Sequence, residues 1–116
     1  MKSHLTFVLS ILLFAVACEE ADFSRVCDVN DPASELEWLK DEIENRDDVF
    51  QHEVSYFSFI FEENMYIHDA YCGKSLILWA STYFNCKGKE VSFTSEELSK
   101  INLLEKKLIW EGTACD

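Results

Sequence analysis

Val54-Ser55-Tyr56-Phe57-Ser58-Phe59-Ile60-Phe61-Glu62-Glu63-Asn64-Met65-Tyr66-Ile67-His68-Asp69-Ala70-Tyr71 is the stretch on which the fold turns. From His52 onward the pattern has period two. Val54, Tyr56, Ser58 and Ile60 alternate with Ser55, Phe57, Phe59 and Phe61, and both sets are largely apolar. Such a segment reads as a strand that can be covered on one face or on both. Glu62-Glu63-Asn64 reads as a turn and Met65 to Tyr71 as a second strand, so the pair is an antiparallel hairpin.

Downstream, Cys72-Gly73-Lys74-Ser75 is a second turn and Leu76 to Asn85 a third strand. Lys87-Gly88 turns the chain into a short fourth strand, Glu90 to Phe93. Of three glycines, two fall at these proposed hairpin turns. Thr94-x-x-Glu97 then has the form of a capping box. Leu98, Ile101, Leu104 and Leu108 follow at helical spacing, with Lys106 and Lys107 in the final turn, where they complement the helix dipole. Leu108-Ile109-Trp110 leads toward Gly112 and Cys115 as a last short strand.

Upstream, Asp31-Pro32 and Ser34-x-x-Glu37 announce a first helix. Leu36, Leu39 and Ile43 give it an apolar face that Trp38 widens, and Asp41, Glu42, Glu44, Asp47 and Asp48 fall largely opposite. The order α-β-β-β-β-α-β predicts an α+β domain. It has an N-terminal helix, a mainly antiparallel sheet of four to five strands, a C-terminal helix and two disulfides.

The N-terminus reads as an address. Lys2 precedes an apolar run from Leu5 to Phe14, too short to span a membrane, and Ala15-Val16-Ala17 offers small residues for a signal peptidase. Ala15-Val16-Ala17-Cys18 resembles the bacterial lipobox, whose cysteine is lipidated before cleavage. The count of five cysteines agrees, because giving Cys18 to a lipid leaves an even set of four. The expected organisation is a signal peptide over 1–17, a lipidated tether over 18–26 and a single α+β domain over 27–116. Glu19-Glu20-Ala21-Asp22 has two readings: a solvated tether that like-charge repulsion keeps off the anionic membrane, or a segment that looks like the short acidic signal that sends some lipoproteins to the cell surface. The expected location is the bacterial cell envelope, lipid-anchored at the outer membrane, with surface exposure following from the second reading.

The chain carries 22 acidic and 10 basic residues, formally −12, a field that repels nucleic acid. The expected partners are the membrane, through the lipid on Cys18, and a protein or carbohydrate met by Trp79 or Tyr83. No cofactor and no metal are expected. Asp28-Val29-Asn30-Asp31 superficially suggests a calcium loop but lacks the glycine at the sixth position and has Leu39 where the twelfth calls for Glu. His52-Glu53 and His68-Asp69 each put an imidazole beside a carboxylate. Strand neighbours point to opposite faces, so neither pair is a ready acid/base couple, and both histidines read as surface or strand-end residues. No catalytic residue is assigned.

Val29 to Lys40 (Val-Asn-Asp-Pro-Ala-Ser-Glu-Leu-Glu-Trp-Leu-Lys) resembles the opening of a family of small lipoproteins from Bacteroidetes-type bacteria. Tyr83-Phe84-Asn85-Cys86-Lys87-Gly88 is similar to that family's Tyr-Asp-Cys-x-Gly hairpin, and Trp110 to Cys115 to its terminal strand. Asp31, Ala33 and Glu37 depart from the family pattern. The resemblance implies location and fold and carries no established activity. Together these readings predict a membrane-anchored envelope lipoprotein serving as a non-enzymatic binding, accessory or inhibitory module. The alternative is an envelope enzyme whose site is assembled from sequence-remote residues.

Geometry chooses the disulfides. With strand one running up, strand two runs down to Cys72 and strand three up to Cys86. At about 3.3 Å per residue strand three separates these cysteines by roughly 36 Å, far beyond the ~7 Å a disulfide allows between Cα atoms. The last helix is expected to cross over and set the final strand parallel to strand four, bringing Cys115 down to Cys72. The first helix must descend into strand one, leaving Cys27 at the top. The pairing is then Cys27–Cys86 with Cys72–Cys115.

Overall fold

A computed structural model describes residues 25–46, 51–73 and 79–115. Cys18, the signal segment and the acidic tether through residue 24 lie outside the described residues. The elements are α1 (Pro32–Glu35), α2 (Glu37–Glu44), β1 (Val54–Phe61), β2 (Asn64–Tyr71), β3 (Tyr83–Asn85), β4 (Glu90–Val91), α3 (Ser95–Ile101) and β5 (Lys107–Glu111). The domain is α+β with one five-stranded antiparallel sheet in the order β4-β3-β2-β1-β5. Among the described residues no helix is long and apolar enough to cross a membrane.

The opening hairpin forms as its alternation demands, with Val54 opposite Tyr71 and Phe61 opposite Asn64. Its loop is two residues, Glu62 and Glu63, both in the left-handed region at φ 50° and 69°. Cross-strand partners share a face, so Val54, Tyr56, Ile67 and Asp69 look one way and Phe57, Phe59, Tyr66 and His68 the other. Both faces are covered. On the first, Leu39 and Ile43 of α2 join Val26, Val54, Tyr56 and Ile67 in one cluster. On the second, Ile101 of α3 joins Phe59 and Phe61, with Tyr66, Tyr83, Phe93, Leu98 and Leu104 packed around them. Each side chain buried outright in such a layer contributes about 1.5–3 kcal/mol.

Several local expectations are corrected. Ser34 and Glu37 do not form a capping box. Asp31 draws the Ser34 hydroxyl onto its carboxylate at 2.6 Å, and Glu35 accepts the Asp31 backbone N–H at 2.6 Å. The chain then breaks at Leu36, whose backbone is extended, before α2 begins at Glu37. The third strand is shorter than 76–85. Residues 74–78 lie outside the described set, and Thr82 gives its N–H to the Asp69 carboxylate at 2.8 Å instead of to a ladder partner, so pairing starts only at Tyr83. Val26 belongs to the core, at 1% exposure, rather than to the tether. The last helix stops at Ile101, which moves Lys107 from a helix terminus to the first position of β5. The Thr94–Glu97 box does form, with reciprocal bonds of 2.9 and 3.1 Å.

The final strand has a different neighbour from the one expected. β5 lies antiparallel to β1 at the far edge of the sheet, with Ser55 opposite Glu111 and Ser58 opposite Lys107. A register shift between Tyr56 and Phe57 leaves Ile109 as an extra residue in β5. Because β1 runs up, β5 still runs down and delivers Cys115 beside Cys72. The disulfides are Cys72–Cys115 and Cys27–Cys86, with Cα atoms 5.2 and 5.4 Å apart. The direction of β5, shared by both arrangements, is what placed the cysteines.

Candidate functional site

Three places gather polar or reactive groups, and each is set by the sheet. The first is Asp69, in β2 on the α2 face and only 1% exposed. Arg46, just past the end of α2, pairs with its carboxylate and also donates through Nε to the Tyr56 hydroxyl at 2.5 Å. Trp79 Nε1 donates to the other carboxylate oxygen at 3.2 Å, beside the Thr82 N–H. The Arg46 guanidinium lies over the Tyr56 and Trp79 rings, 5.4 and 5.5 Å from their centroids, and Glu42 approaches it at 3.7 Å. Burial opposes the Arg46 charge, yet the Tyr56 hydroxyl and Asp69 outweigh it and hold the group above its ordinary pKa. Burial pushes the Tyr56 phenol up to about 12 against the opposing pull of Arg46. Each Asp69 oxygen is engaged, so this cluster joins α2, the sheet and the segment before β3 rather than offering a base to a substrate.

The second is His68, on the opposite face. It is buried in the middle of β2, not at a surface or strand end. Its ring lies between Phe57 and Tyr83, stacked at 5.7 and 5.4 Å, with Phe59 edge-on at 5.7 Å. Nδ1 sits 2.9 Å from the Asp69 carbonyl, which can only accept, so the neutral ring carries its proton there. Nε2 has no partner. Burial pulls the imidazole pKa below its ordinary value, with Lys106 adding in the same sense. His68 and the Asp69 carboxylate face away from each other across the sheet, and His52, in the turn before β1, meets the Thr113 hydroxyl at 2.8 Å. The two histidines are not brought together.

The third is the end of the sheet marked by Cys27–Cys86. A cleft of about 450 Å³ is lined by Asn64, Met65, Tyr66, Lys87 and Val91 beside Cys86. A second, of about 380 Å³, is lined by Arg25, Asp28, Met65 and both bridged cysteines. Met65 and Cys86 line both, and the Met65 sulfur accepts the Cys27 N–H at 3.1 Å. The hairpin bearing Cys86 is held by Trp38, whose Nε1 donates to the Cys86 carbonyl at 3.0 Å and whose ring packs on Phe84 at 5.3 Å. Gly88 lets this happen: its φ is +84°, and a Cβ there would stand 2.5 Å from the indole. The first cleft thus sets Met65, Tyr66 and Val91 beside the amides of Asn64 and Asn85 and the Lys87 amine, and the second sets Arg25 and Asp28 beside Met65 and the cystine.

Trp79 and Tyr83, the residues expected to present aromatic surface, are half-buried. Trp79 stacks on Tyr71 at 5.7 Å, and Tyr83 on His68. Among the described residues the large exposed hydrophobics are Leu103, 88% exposed, and Leu108, 44% exposed. The sequence reading missed Arg46 altogether. Its one signal was a lone basic residue, Arg46, inside the acidic run from Asp41 to Asp48. Comparison of the chain with protein-family models, with curated proteins and with solved structures finds no match.

Proposed function

We propose that the chain is a lipid-anchored lipoprotein of the bacterial cell envelope, held at the outer membrane through Cys18, and that it serves as a non-enzymatic binding, accessory or inhibitory module. The observation that carries the reading is the cysteine ledger. Cys27, Cys86, Cys72 and Cys115 pair among themselves, which leaves Cys18 as the odd thiol directly behind Ala15-Val16-Ala17. Two disulfides also belong to an oxidising compartment, reached by export. The resemblance of Val29 to Lys40 to the small lipoprotein family points the same way. Binding is assigned to the clefts flanking Cys27–Cys86, where a protein or carbohydrate would be met, because Tyr66, Lys87 and the amides of Asn64 and Asn85 line the first of them while the Asp69 carboxylate is already taken by Arg46, Trp79 and Thr82.

Detergent phase partitioning tests the anchor. Wild type should enter the detergent phase with the added mass of acyl chains, and Cys18→Ser should stay in the aqueous phase. Wild type found wholly in the aqueous phase, at the mass of unmodified 18–116, would overturn the reading. For the module itself, Lys87→Glu and Tyr66→Ala at the cleft should weaken capture of envelope partners while leaving partitioning unchanged.

A further inference from the structure

His68 is a buried, titratable group that nothing in the proposed binding role uses. It is 7% exposed and touches the Phe59 ring, which packs in one cluster with Ile101 of α3. From β1 it meets the rings of Phe57 and Phe59, and from β3 the ring of Tyr83. Phe93, just after β4, closes over Phe59 and Tyr83 at 6.4 and 5.4 Å. From α3 the side chains in this layer are the uncharged Leu98 and Ile101. The charged groups that act on the imidazole are Lys106, from the segment before β5, and Asp69, across the sheet. The carboxylate of Asp69 is already held by Arg46, Trp79 and Thr82. Tyr83 is the ionisable neighbour on β3, and burial raises its pKa, which keeps it neutral.

We infer that His68 is an acid-sensing residue, and that a second ring proton, taken up at the unpartnered Nε2, loosens the α3 layer from the sheet. The physical chain is short. The neutral ring is satisfied at Nδ1 and otherwise needs only apolar contact, which the aromatic clamp supplies. A proton at Nε2 creates a buried cation whose new N–H has no acceptor and which the like charge of Lys106 opposes. Relief comes by letting water in past the Phe59 ring, and what gives is its packing on Ile101 of α3, because the strands beside His68 are held by the ladder.

The sign follows from linkage. The folded-state pKa lies below the unfolded one, near 6.5, so the stabilisation is complete above about pH 6.5 and is lost as pH falls from there toward the folded value. One proton raises the unfolding constant by at most about tenfold per pH unit in that window.

The test is urea unfolding of the full chain in detergent at pH 7.5, 6.5 and 5.5, for wild type and His68→Phe, which keeps the stack and removes the titrating nitrogen. Wild type should show an unfolding constant rising several-fold more between pH 6.5 and 5.5 than the variant does. Equal slopes would overturn the inference. Should His68→Phe fail to fold, the His68 ring resonances of wild type decide. Titration below the ordinary histidine range, with the α3 amides losing exchange protection before those of α2, supports it. Titration at the ordinary value, or simultaneous loss of protection everywhere, overturns it.

Discussion

Removing the Asp69 carboxylate should cost this domain a large part of its stability. In Asp69→Ala the Arg46 side chain, 15% exposed, loses its buried partner, and the Trp79 and Thr82 N–H groups lose their acceptor. Breaking a buried pair from one side costs about 3–5 kcal/mol, and an orphaned neutral donor about 1 kcal/mol or more. Glu42, at 3.7 Å from Arg46, recovers part of the charge term, so the expected loss is about 4 kcal/mol, set against a typical total of 5–15 kcal/mol. Asp69→Asn separates the contributions. Its amide oxygen can still receive Trp79 and Thr82, but its NH2 confronts the guanidinium, so about 3 kcal/mol should go. Replacing both charges by apolar groups, Arg46→Met with Asp69→Leu, should cost less than the sum of the single changes, because no unpaired ion is left in the interior. Urea titrations followed by far-ultraviolet circular dichroism give these differences. An Asp69→Ala loss under about 1.5 kcal/mol, or strict additivity in the double variant, would refute the view of this cluster as one interacting unit.

Gly88→Ala should destabilise by about 2–4 kcal/mol, combining the left-handed backbone penalty with displacement of the Trp38 ring from Phe84 and the Cys86 carbonyl. In a Trp38→Leu background the same change should cost only the backbone part, about 1–2 kcal/mol, as a thermal unfolding cycle will show. Glu62→Asn with Glu63→Gly puts residues that favour positive φ into the two-residue loop and should raise stability by about 1 kcal/mol, read as a higher melting temperature. Exhaustive EDTA treatment should leave the melting temperature unchanged, and a large drop restored by calcium or zinc would overturn the assignment of Asp31 and Ser34 to the start of α1.

The hairpin from Val54 to Tyr71 was legible because alternation and an acidic turn are local signals, although Asn64, read as part of the turn, is the first residue of β2. Thr94–Glu97 was legible for the same reason. Ser34–Glu37 has the same spelling and failed, because Asp31 and Glu35 offer a competing set of bonds one turn earlier, and pattern alone does not rank rivals. The short third strand was hidden because the carboxylate that intercepts the Thr82 N–H sits 13 residues back in sequence. His68 was misplaced for want of one fact, that the rings of Phe57, Phe59 and Tyr83 close around it on the second face of the hairpin. The position of β5 reflects strand length. β1 has eight residues against two in β4, so its free edge is the long one that pairing protects. At the candidate site the cysteines could be placed by direction alone, whereas Arg46 needed the tertiary meeting of α2 with β2.

The two cystines are interleaved along the chain, Cys27 with Cys86 and Cys72 with Cys115. Each linked interval overlaps the other between residues 72 and 86. A peptide bond cut anywhere from 27 to 115 therefore falls inside at least one closed ring. A cut between 72 and 86 falls inside both. A nick by a protease cannot split the domain into separate pieces while the bridges stand, and the downstream half stays fastened to the upstream one. The alternative pairing of neighbours, Cys27 with Cys72 and Cys86 with Cys115, would release everything beyond a single break between 72 and 86. Interleaving thus makes damage survivable: a clipped copy remains one covalent body.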